Sequence, residues 1–149
     1  MDHEFASCFT KDLDSLAKEI ALCEEETLWK VLQGVTNSIG NLTQHLIGNL
    51  NHFIGAILGE TGYVRNRDAE FSERYLTKAE MITQLNATAQ MLEKVLDALT
   101  EEDFKKKYPL EPYHYPMTTR HMILKLASHL GYHLGQVNYL RRIAQGSES

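Results

Sequence analysis

Cysteine is nearly missing from this chain: Cys8 and Cys23 are the only two in 149 residues. If both lie on one helix, a rise of ~1.5 Å per residue holds them ~22 Å apart. A disulfide needs Cα atoms within ~7 Å, so the two cannot pair within the chain. Two unpaired thiols fit a cytoplasmic protein. Long hydrophobic runs are also missing, and none approaches the ~18 apolar residues of a membrane-spanning helix. The opening MDHEFASCFTKD is charged at once and has no apolar stretch, so it does not read as a signal peptide. Positive charge is scarce: 15 Lys+Arg against 20 Asp+Glu leave a net charge of -5. A nucleic-acid-binding surface normally carries a basic excess. The one basic run, Lys105–Lys107, is short and turn-like; the tyrosines after it, Tyr108, Tyr113 and Tyr115, hint only weakly at a stacking surface. Proline occurs three times, all in one stretch, where Pro109, Pro112 and Pro116 make Tyr108–Met117 an extended connection.

What is there is helical periodicity. The chain is 43% hydrophobic and 23% charged, and residues 1–149 suit one domain with a real core. A first helix is expected from about Asp2 to Glu25, with Phe9, Leu13, Leu16, Ile20 and Cys23 in 4-3-4-3 spacing. After a break at Gly34–Ser38, Asn37 or Ser38 can cap a second helix from Ile39 to about Leu58, with Leu42, Leu46, Phe53 and Ile57 on one side. Gly59 and Gly62 end it, and the polar GETGYVRNRDAEFSERYL shows no clear period. Thr77 and Glu80 have capping-box spacing at the head of a third helix, which runs to about Leu99. Thr100–Asp103 can start a further turn. Thr118 or Thr119 caps a fourth helix that runs to Ala144–Gln145 and closes at Gly146. No strand pattern competes. The expected fold is all-α, a four-helix bundle with a long connection between helices two and three.

The chemistry-bearing residues are histidines. SHLGYHLGQ, Ser128–Gln136, puts His129 and His133 four residues apart. With seven histidines in the chain, one such pair is weak evidence by itself. Position matters more. The apolar seam of the last helix reads Leu126, Leu130, His133, Val137, Leu140 and Ala144, with His129 on its flank. Two imidazoles close together inside a bundle are costly unless they share hydrogen bonds or a cation. Spacing i, i+4 aims both at one point, and a divalent metal accepts neutral imidazole nitrogens. Bundles complete such sites from a facing helix. His45 is the better third ligand and His52 the reserve. His121 lies near the same face, while His3 and His114 read as surface residues. The alternative is that the pair is ordinary helix-surface or core histidine. Three neutral ligands with an open position are the catalytic pattern, in which metal makes a nucleophile of bound water or thiol.

Here the chain resembles a known family. A histidine early in helix two, within HLIGN, combined with HxxxHxGQ in the last helix is similar to the DinB-like superfamily of four-helix-bundle proteins. The likeness spans about Leu13 to Ile143. RNRDAEF, Arg65–Phe71, resembles a segment in one subset of that superfamily. The resemblance implies a metal triad at His45, His129 and His133. It also implies a possible homodimer and, as in bacillithiol S-transferases and mycothiol-dependent maleylpyruvate isomerases, a metal that activates a low-molecular-weight thiol. Zinc or nickel is the expected ion, and a small molecule the expected partner, with no nucleic acid and no membrane.

Other residues carry paired readings. Gln136 shares the face of His129 and His133; it is either a hydrogen-bond partner that fixes a tautomer or a plain polar residue, and Asn49, one turn after His45, is the same. Gly131 and Gly135 imply close helix approach or ligand room. Arg65, Arg67, Asp68 and Glu70 form either ion pairs within the loop or a site where Arg65 and Arg67 grip an anion. Tyr132 lines the pocket or a subunit interface. Trp29 packs where helices one and two meet, and Cys8 and Cys23 are expected to be buried. No separate general base is identifiable. The expected function is a metal-dependent transferase or hydrolase acting through a thiol or water. The alternatives are a metal-binding stress-response protein without turnover and a plain helical interaction domain.

Overall fold

The computed structural model describes residues 3–146. The chain forms α1 (Glu4–Leu22), α2 (Glu25–Leu28), α3 (Ile39–Leu50), a π-helical continuation Asn51–Ala56, α4 (Ile57–Gly59), α5 (Arg67–Ser72), α6 (Lys78–Asp97), α7 (Glu101–Lys105) and α8 (Thr119–Gln145). The fold is all-α, and α1, the column from α3 to α4, α6 and α8 supply its four long helices. α1 packs on α6 and α8, and α3 packs on α5, α6 and α8. Phe9, Leu13, Leu16 and Ile20 of α1 meet Met81, Leu85 and Leu92 of α6 and Leu126, Leu130 and Val137 of α8 in one core. Full burial of each such side chain contributes about 1.5–3 kcal/mol. Among the described residues no helix is long and apolar enough to cross a membrane.

The helix starts follow side-chain caps. Ser38 accepts from Asn41 N, and Thr118 accepts from His121 N. Thr77 with Glu80 and Thr100 with Asp103 complete capping boxes. Each cap satisfies an amide that the helix itself cannot. Gly146 closes α8 at φ 65°. The proline stretch is pinned at its ends, where Tyr108 N donates to Met117 O at 2.9 Å and Thr119 N to Lys106 O at 2.8 Å. Trp29 does pack at the junction into α3: its ring occupies the space a Cβ on Gly40 would need.

Several expectations need correction. The first helix ends at Leu22 because Cys23 turns extended (ψ 134°); Asp2 lies outside the described residues. Cys8 is exposed, since it sits one position before the seam residue Phe9 and faces away from the core, whereas Cys23 is buried. The second helix is π-helical over Asn51–Ala56. There Tyr108 Oη donates to Phe53 O at 2.6 Å, and Asn51 Nδ2 donates to Ile47 O and to Thr88 Oγ1. Side chains thus take up groups loosened by the wider turn. GETGYVRNRDAEFSERYL contains the short helix α5, capped by Asn66. On α8, His133, Leu140 and Ala144 are only half-buried. The fully buried residue of the last turns is Arg141, paired with Glu19 of α1.

Candidate metal centre

α3 carries His45 and α8 carries His129 and His133, so the packing of these two helices decides whether the three meet. They do. His129 Nε2 lies 3.2 Å from His45 Nε2 and 3.1 Å from His133 Nε2. Their rings stand nearly perpendicular, at 83° to 89°. Among the described residues this is the one group of His, Cys, Asp or Glu with the geometry to hold an ion. His52 instead stands edge-on to Phe53, His3 contacts Asp97, and His114 and His121 are exposed.

The outer nitrogens of His45 and His133 are held. His133 Nδ1 donates to Gln136 Oε1 at 2.7 Å. His45 Nδ1 donates to Glu70 Oε1 at 3.1 Å, and Arg65 grips the same carboxylate with Nε at 2.8 Å and Nη2 at 2.9 Å. Arg65 Nη2 also lies 3.3 Å from His45 Nδ1, and the carboxylate, the stronger acceptor, takes both hydrogens. Phe71 packs on the His45 ring, with centroids 4.7 Å apart. The Nδ1–H tautomer therefore leaves a lone pair on Nε2 of both His45 and His133, and both point at His129 Nε2. That atom can offer one hydrogen at most. At least one contact then has no hydrogen between its nitrogens, and His129 Nδ1 is buried without a hydrogen-bond partner. An unsatisfied buried polar group costs about 1–3 kcal/mol. A cation at the common point removes the conflict: metal–nitrogen bonds of ~2.0–2.1 Å in a tetrahedron place nitrogens ~3.3–3.4 Å apart, close to the 3.2 and 3.1 Å of the two contacts at His129. The donor set fits a divalent transition metal.

The electrostatics agree. Burial, with His133, His45 and Arg65 adding to it, pushes the His129 imidazolium down to about 4. Burial also lowers His133, against the hydrogen bond to Gln136, with His45 adding to the fall. Burial would raise Glu70, but hydrogen bonds from His45 and Arg65 outweigh it and hold the carboxyl below its ordinary range. Near neutral pH the centre thus offers neutral imidazoles on α8 beside a carboxylate already neutralised by Arg65.

Of the other sequence candidates, Gln136 holds His133. Asn49 is buried on α3 with Oδ1 unpartnered. Arg65 serves Glu70, whereas Arg67 is exposed and lies 5.3 Å over the Phe71 ring. Tyr132 is exposed and stands against His133 at 5.2 Å. Gly131 and Gly135 face open space: only Asp12 Oδ2, at 3.7 Å, approaches the place of a Gly131 Cβ, and nothing lies within 4 Å of that of Gly135. Glu70 is the residue whose role was hidden, since it read only as part of a charged loop. The signal was Gly48, three residues after His45: a Cβ there would lie 1.9 Å from Glu70 Oε2.

A family model described as a protein of unknown function (DUF1572) matches residues 3–149. Among curated proteins none matches. Solved structures match over nearly the whole chain. A conserved protein from Enterococcus faecalis has a TM-score of 0.78 at 16% identity, covering 97% of each chain. A DinB-like protein from Bacillus subtilis has a TM-score of 0.73 at 16% identity, covering 97% of this chain and 94% of its own. A DinB-like protein from Bacillus cereus has a TM-score of 0.71 at 16% identity, covering 95% and 91%. The DinB-like fold expected from HLIGN and HxxxHxGQ is thus the fold found.

Proposed function

We propose a function for a chain that belongs to the DUF1572 family, a DinB-like family: a divalent-metal-dependent enzyme with His45, His129 and His133 as ligands. The observation that carries this reading is the convergence of three Nε2 atoms, with His45 and His133 locked by Glu70 and Gln136. Bound there, zinc or nickel would act as a Lewis acid and lower the pKa of a thiol or water sharing its coordination. Glu70, itself fixed by Arg65, orients His45, and Gln136 orients His133. His129 and His133 are half-buried, so the centre has an open side for a small molecule. Transfer of a low-molecular-weight thiol to an electrophile, an intracellular setting with Cys8 and Cys23 reduced, and a homodimer belong to the same proposal.

The test is metal content by elemental mass spectrometry on untagged protein, against a His129→Ala/His133→Ala variant. Near-stoichiometric metal that the variant loses supports the ligand set; equal metal in both refutes it. Cobalt-loaded protein titrated with a small thiol then reads the open position. A shifted visible spectrum supports thiol activation, and an unchanged one refutes it. A second reading has its own observation. His45 sits on α3 and the other two on α8, so the ion would staple two long helices, and the role could be stability without turnover. A closed spectrum with a large rise in melting temperature on metal loading favours that reading.

A further inference from the structure

A cleft of about 580 Å³ lies between α8 and the loop entering α3, and His133 forms part of its wall. Its size falls within the ~300–1,000 Å³ of ordinary small-molecule sites. Val35, Leu42, Leu140 and Ile143 make the walls apolar, and the Tyr132 and Tyr139 rings flank them. No lysine, arginine, aspartate or glutamate is among the lining residues. The cations nearby are used elsewhere: Arg65 is bound to Glu70, and Arg142 lies over the Tyr139 ring at 5.7 Å without lining the cleft. An anion entering would give up hydration with no cationic side chain on the walls to receive it. The polar groups that do face it are neutral, from Thr36, Asn37 and Gln136. Gln136 spends Oε1 on His133 and keeps its amide N–H groups free of hydrogen-bond partners among the described residues.

We propose that this cleft binds a neutral, largely apolar small molecule, its body between Leu140, Ile143 and Val35 and one hydrogen-bond acceptor on the Gln136 amide. Its use as the seat of the electrophile rests on the metal reading above; the binding itself does not. A thiol bearing carboxylates does not belong here, and Arg65 is not its anchor.

The experiment compares two probes with one ring, 4-nitrobenzyl alcohol and 4-nitrobenzoate, titrated at pH 7.5 into the 15N-labelled full chain. The alcohol should shift the amides of Gly34, Val35, Leu140 and Ile143 and bind about tenfold or more tighter than the carboxylate, a gap of ~1.4 kcal/mol. Val35→Trp, at an exposed loop position, should fill the cleft and weaken the alcohol by a similar factor. Ile143→Arg, also exposed, should supply the missing cation and narrow the gap between the probes. Equal binding of the two probes to the native chain overturns the proposal, as does a metal-loaded protein whose cleft amides do not move. Movement of those amides with protein concentration alone also overturns it, because a second copy then covers the face. Binding that persists in His129→Ala, with or without metal in the native protein, supports the cleft and leaves the metal reading to its own test.

Discussion

Gly48→Ala adds one methyl group to α3, where helix propensity alone predicts a gain of up to ~1 kcal/mol. The structure predicts the opposite. The new Cβ would sit 1.9 Å from Glu70 Oε2 and 2.6 Å from its Cδ. Carbon and oxygen do not approach closer than ~3.3 Å without strain, so the carboxylate must retreat by more than ~1 Å. Glu70 is bound at 2.8 to 3.1 Å by Arg65 and His45, and such a retreat breaks those bonds. The obstacle is the end of a side chain, so the fold survives while the carboxylate leaves its place. Disrupting a buried ion pair costs about 3–5 kcal/mol, which leaves a net loss of about 2–4 kcal/mol after the propensity gain. His45 loses its orienting partner, which typically costs 10–100-fold in metal affinity. The assay is thermal unfolding of metal-free protein by circular dichroism, together with metal affinity by chelator competition. Gly135→Ala is the control, since nothing lies within 4 Å of its Cβ. It should be neutral to stabilising with unchanged affinity. Glu70→Gln should reproduce the affinity loss, and combining it with Gly48→Ala should add little, because both act through one carboxylate. If Gly48→Ala matches the native chain in both stability and affinity, Glu70 does not support His45.

Four further outcomes are expected. With native protein at pH 8, iodoacetamide should modify Cys8 and spare Cys23, whose thiol is buried and pushed up to about 11; two labels per chain by mass spectrometry would contradict that burial. Metal-free protein should lose stability as pH falls from about 6.5 toward 4. Over that range the unfolded chain protonates His129 but the folded chain, with this imidazole lowered to about 4, does not. His129→Gln should flatten that limb of the pH–stability curve, and an unaltered curve would rule out the assignment. Below about 4.3, the usual glutamate value, a second fall is expected as Glu70 and Glu19, both held below it in the folded chain, take up protons. Glu19→Ala removes the carboxylate facing the buried Arg141 guanidinium and should cost about 3 kcal/mol in urea unfolding, whereas Glu19→Gln should cost less.

Helix starts were legible because caps are local: Ser38, Thr77 and Thr118 each serve the amide three residues on in the same chain segment. The seam of α1 was legible because period alone selects its buried face. The π-helical turn was not, since it depends on Tyr108 and Thr88 arriving from elsewhere in the chain. Nor was α5: six residues are too few to show a period, and docking on α3, with Asn41 and Gln44 amides donating to Glu70 O and Glu73 O, holds it in place. The buried Arg141 reads as a surface residue until Glu19 is brought opposite.

By itself the sequence determined the all-α bundle and the pairing of His129 with His133 on one helical face. These are matters of period and spacing, set within single helices. Only the tertiary structure decided that the three Nε2 atoms meet, that Glu70 rather than a free carboxyl orients His45, and that Arg65 is bound to Glu70 instead of open to an anion. Each of those depends on how α3, α5 and α8 dock. Docking is set by packing between residues far apart in sequence, down to the missing Cβ of Gly48.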